Sequence, residues 1–83
     1  MGTSDMYFFD LFDGANDKVD VVGTSFDDED AARQAARSML ADRVRSEVLR
    51  GGEYLMTVRL RRNTMPIFSV TFALTEEHYR LDS

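Results

Sequence analysis

Apolar residues recur at every second position near both ends of this chain and at every third or fourth position in its middle. Residues 6–12 (MYFFDLF) set Tyr7, Phe9 and Leu11 against Phe8 and Phe12, a strand with apolar side chains on both faces. Asp13-Gly14 is a strong turn pair, because glycine supplies positive φ at no steric cost. Residues 19–22 (VDVV) read as a short second strand that Gly23 ends. Residues 28–50 then hold no glycine or proline, and Ala32, Ala35, Ala36, Met39, Leu40, Val44 and Val48 fall at helical spacing. Asp27 is placed to cap this helix, with Asp28, Glu29 and Asp30 in the first turn, where the helix dipole favours negative charge. Phe26 and Ala31 are placed for a hydrophobic staple across that start. Arg50 and the pair Gly51-Gly52 supply a cationic end and a left-handed stop. A rod of this length, about 34 Å at ~1.5 Å per residue, outreaches an ordinary strand, so its last turns are expected to overhang.

Strict alternation returns at residues 53–62, where Tyr54, Met56, Val58 and Leu60 oppose Leu55, Thr57, Arg59 and Arg61. Residues 66–74 set Phe68, Val70, Phe72 and Leu74 against Ile67, Ser69, Thr71 and Ala73. These are two half-buried strands joined through Asn63-Thr64. The pattern predicts an α+β fold of order β-β-α-β-β, a four-stranded and mainly antiparallel sheet with one long helix packed on one face. The single domain spans residues 6–74. Residues 1–5 are read as a disordered arm or an expression remnant, and residues 75–83 as a polar tail that docks or frays. One helix covers one sheet face, which leaves Leu55, Ile67 and Ala73 among Thr57, Ser69 and Thr71 on the open one.

Composition removes several chemistries. The chain has 83 residues and no cysteine, which excludes disulfides, thiolate metal sites and cysteine nucleophiles and fits a reducing, cytoplasmic setting. No apolar run approaches the ~20 residues of a membrane span. Net charge is −5, with −7 in residues 1–42 and +2 in residues 43–83. An acidic chain is repelled by nucleic acid overall, although the basic half permits a local patch.

YFFDLFDG at the start, then Gly23, Phe26, Asp27 and the alanine-rich AARQAARSMLAD, resemble a family of small single-domain proteins of rhizobia and other alphaproteobacteria. That family is catalogued as a domain of unknown function. The resemblance covers nearly all of residues 6–74 and implies a β-β-α-β-β domain with no assigned activity. Such proteins often carry an Asp/Gly turn between the last two strands. The residues here, Arg61 to Pro66, therefore suggest a looser and more basic turn. The chain is also distantly similar to antitoxins with a partial ribonuclease-H-like fold, which combine an aromatic first strand with an acidic, alanine-rich helix.

No catalytic set emerges. His78 is the one histidine, and Ser69 lies in no nucleophile-elbow context. Asp10, Asp13, Asn16, Asp17 and Asp20 make an oxygen-rich hairpin, but their spacing is not that of a calcium loop, and Asp10 is expected to point away from it. No glycine pattern suits a phosphate, so no cofactor or metal is expected. Arg59, Arg61 and Arg62, with Arg43, Arg45 and Arg50, offer a basic patch, yet no aromatic residue stands beside Arg59 and Arg61 on their strand for a base to stack on. The expected function is that of a non-enzymatic protein-interaction module, self-associating as a homodimer or binding another protein. The alternative is a nucleic-acid-associated regulator resembling an antitoxin. Candidate interaction residues are Tyr7, Phe9, Leu55, Arg59, Arg61, Arg62 and Ile67.

Overall fold

The computed structural model describes residues 5–14 and 16–80. Five strands and one helix follow in the order β1 (Asp5–Phe12), β2 (Asp17–Lys18), β3 (Thr24–Phe26), α1 (Glu29–Arg50), β4 (Tyr54–Arg62) and β5 (Met65–Leu74). All pairings are antiparallel, with spatial order β2-β1-β4-β5 and β3 also pairing β1. The fold is α+β, as the alternation required. Residues 1–4 of the expected arm lie outside the described residues. Asp5 belongs to β1, and its carboxylate lies 3.6 Å from Arg62. Of the tail, residues 81–83 are likewise outside. Glu76 does dock, accepting a hydrogen bond from the Gly52 amide.

The aromatic β1 is central, between β4 and the pair β2 and β3. Its helix side presents Tyr7 and Phe9, buried with Ala32, Ala36, Leu40, Met56, Val58 and Leu60 in one cluster. Alanines at the helix contact bring the backbone close to the sheet, while β1, β4 and β5 supply the bulk. Phe26 packs edge-on against Tyr7 and Phe9 at 5.9 Å. A fully buried residue such as Leu60 contributes roughly 1.5–3 kcal/mol by leaving water. Beyond Val44 the helix outruns this core, and Val48 and Leu49 are exposed. Among the described residues no helix is long and apolar enough to cross a membrane.

Four local details differ from the sequence pattern. The second strand is not residues 19–22 but the two short pieces β2 and β3 on either side of them. The reason is Asp20, whose carboxylate takes backbone amides that a ladder would otherwise use. The helix cap is Asp28 rather than Asp27, its carboxylate accepting from the Ala31 amide at 2.7 Å. Phe26 therefore ends β3 instead of serving as a staple. The β4–β5 turn is tight, a two-residue loop closed by Arg62 and Met65, because Asn63 adopts φ 57°. Asparagine tolerates that left-handed conformation and replaces the expected glycine. Finally, the β4–β5 register shifts between Leu60 and Arg61. Ile67 falls at that irregularity, half-buried against the core rather than on the open face.

Candidate functional site

The open face is not simply wet. Asp10 sits at its centre with no exposed surface. Register places Asp10 opposite Arg59 and Phe8 opposite Arg61. The Asp10 carboxylate accepts from Arg61 Nε at 2.6 Å and Nη2 at 3.1 Å, from Arg59 Nη2 at 3.1 Å and Nε at 3.3 Å, and from the Asp20 amide at 3.1 Å. The Arg61 guanidinium lies 4.9 Å from the Phe8 ring centre, and that of Arg59 lies 4.9 Å from Phe12. Aromatic residues thus do flank both arginines, donated by β1 rather than by β4. Each ring is covered by a guanidinium. Asp10 points toward the hairpin loop, not away from it.

Asp20 completes the knot. Its Oδ2 accepts from the Phe9 amide at 3.1 Å, and its Oδ1 accepts from Val22 and Gly23 amides at 3.0 Å. Arg61 Nη2 donates to the Asp20 carbonyl at 3.0 Å. Five residues, 19–23, thereby span the three β1 residues, 8–10, that neither β2 nor β3 pairs. Burial pushes the Asp10 carboxyl up, but hydrogen bonds from Arg61, the Asp20 amide and Arg59 outweigh it and leave the pKa below the usual value. Burial likewise opposes ionisation of Asp20, and the amides of Gly23, Phe9 and Val22 overcome it. The carboxylates of Asp10 and Asp20 are thus already engaged by donors. Asp13 accepts from the Asn16 amide at 2.9 Å. Among the described residues no group of three or more histidine or carboxylate side chains is placed to hold a metal.

The candidate residues therefore separate. Tyr7 and Phe9 lie buried under the helix, 1% and 7% exposed. Arg62 is on that side too, donating to Tyr7 Oη at 3.0 Å and lying 3.4 Å from Glu29. Arg59 and Arg61 are held by Asp10. Leu55 is exposed on the open face opposite Ala73. Arg59, Arg61 and Arg62 each pair with an acid of this domain, Arg59 and Arg61 sharing the one Asp10 carboxylate.

Among the described residues the fold also leaves an edge unpaired. β5 is the last strand of the sheet, and its ten residues, MPIFSVTFAL, include no charge. Edge strands ordinarily carry lysine, proline or bulges that prevent another strand from pairing. Here Pro66 and the register shift lie at the turn end, and Phe68 to Leu74 pair with β4 without interruption. Beside this stretch, a groove of about 350 Å³ opens between α1 and β5. Leu40, Ala41, Val44, Val70 and Phe72 line it, with Arg37 and Arg45. The lack of charge in residues 65–74 was visible in the sequence. That β5 is terminal, and that the helix flanks it, was not.

No curated protein and no solved structure matches the chain. Residues 6–73 match the family model described as Domain of unknown function (DUF6894), and the chain belongs to that family.

Proposed function

We propose that this domain is a non-enzymatic protein-interaction module that works by adding a strand to the free edge of β5. One observation carries the proposal: a ten-residue terminal strand without a charge. Main-chain groups along such an edge supply affinity to any incoming strand, and side-chain pockets beside it supply selectivity. Self-association is the simplest form, since two β5 edges pair antiparallel about a two-fold axis and join two sheets into one. The cysteine-free composition suits work in a reducing, cytoplasmic compartment.

Light scattering from micromolar to millimolar concentration tests this proposal. Self-association is expected to strengthen with salt, because screening relieves repulsion between the basic groove rims of two copies. Ser69→Lys with Ala73→Lys places charge on the edge and is expected to shift the midpoint about tenfold or more. A monomer at millimolar concentration in about 0.5 M salt, where the Debye length is only a few ångströms, contradicts the self-associating form.

A further inference from the structure

The groove beside β5 has a chemistry of its own. Its floor is apolar, and among the described residues its charged lining residues are Arg37 and Arg45. Neither arginine forms an ion pair among the described residues. Arg37 lies 5.3 Å from the Phe68 ring centre and donates to Gln34 at 3.3 Å, contacts that leave its charge uncompensated. Asp42 faces the opposite flank of the helix, near Leu11 and Lys18. Glu47 is paired with Arg50 at 3.5 Å. The helix runs in the same sense as β5 here, since Arg37 stands over Phe68 and the C-cap Gly51 lies beside Glu76, just past the strand.

Two spacings coincide. Arg37 and Arg45 are eight positions apart, or about 12 Å along a helix rising ~1.5 Å per residue. Positions i and i+4 of a strand are about 13 Å apart at ~3.3 Å per residue, and both face the same side. A strand added to β5 therefore presents side chains i and i+4 to the two arginines and side chain i+2 to the apolar floor between them.

We infer that this groove is a docking site for an extended segment of another protein with the pattern acid-x-apolar-x-acid. The inference rests on the proposed strand addition at β5 and names the partner. A second copy offers no acid on its own β5, and its rim arginines meet those of the first. It is the weaker occupant at low salt.

The test uses the full chain, isotope-labelled, titrated with a peptide of about eight residues centred on Asp-Thr-Val-Thr-Asp, and with its Lys-Thr-Val-Thr-Lys counterpart. The Asp peptide is expected to shift the amides of β5 and to bind about fivefold or more tighter than the Lys peptide. Raising the salt weakens this binding while strengthening self-association. Arg37→Gln with Arg45→Gln loses the preference for acid and self-associates at least as well as the parent, a pair of opposite changes that misfolding does not produce. Equal binding of the two peptides, or an undiminished preference in the double variant, overturns the inference. Self-association at β5 with no acid preference overturns it alone. Absence of any β5 shift, with either peptide or with concentration, overturns the strand-addition proposal as well.

Discussion

The two edges of this sheet receive opposite treatment. On one side, β1 is paired at its ends by β2 and β3, and between them the Asp20 carboxylate accepts the Phe9 amide as a strand carbonyl would. The loop that carries Asp20 bulges outward, and Val21 is left 84% exposed on it. On the other side, β5 ends the sheet with no charge and nothing paired to it among the described residues. One edge is closed by a half-buried carboxylate, and the other is left bare among the described residues. The first is tied into the fold by hydrogen bonds, and the second is the edge proposed to bind.

Breaking the closed edge produces the largest effects. Asp10→Ala leaves the guanidinium groups of Arg59 and Arg61 uncompensated beside Phe8 and Phe12. A loss of about 3 kcal/mol is expected, within the range for removing one partner of a buried pair. Urea denaturation measures it. Asp20→Ala removes the acceptor for three backbone amides, those of Phe9, Val22 and Gly23. A loss of about 2 kcal/mol follows, since hydrogen bonds to charged groups contribute roughly 1.5–3 kcal/mol. Hydrogen exchange at Phe9 should accelerate in that variant while exchange at Val58, beneath the helix, follows only the global stability.

Acid probes the same knot without mutation. Both Asp10 and Asp20 have folded pKa values below their ordinary ones. Their stabilisation is therefore complete above the unfolded carboxylate pKa, about 3.9. It is lost as pH falls from there through the lower folded values. Thermal melts between neutral pH and pH 3 should fall steeply at the acidic end, and Asp10→Asn should flatten that limb. An equal slope in the variant would mean that other carboxylates control acid unfolding.

The elements that could be read from the sequence are those encoded by local period. β4, β5 and α1 follow directly from alternation and helical spacing, and β1 from its aromatic run. The closed edge could not be read this way. Val19, Val21 and Val22 favour a strand by type, yet one carboxylate between them takes the amides a ladder needs. Asp10 meets Arg59 and Arg61 across 49 and 51 positions, so no local pattern announces it. Ile67 left the face that its parity assigned because of one irregularity in register. The bare edge was half legible: its missing charges are in the sequence, while its place at the end of the sheet depends on strand order.

Smaller effects sharpen the contrast from the β5 side. Asn63→Ala keeps the loop length but places alanine at φ 57°, with an expected cost of about 1 kcal/mol. Unlike Asp20→Ala, it should leave exchange at Phe9 slower than the global rate. Ser69→Lys with Ala73→Lys should change stability least, by less than about 1 kcal/mol at exposed positions, while changing assembly most.

The most direct measurement is amide hydrogen exchange of the labelled chain at low and at millimolar concentration, in about 0.5 M salt to screen the groove rims. Strand addition at β5 predicts that amides between Phe68 and Leu74 gain protection with concentration while those of residues 19–23 stay unchanged. Protection gained at residues 19–23 instead, or at neither edge, would contradict the assignment of β5 as the working edge.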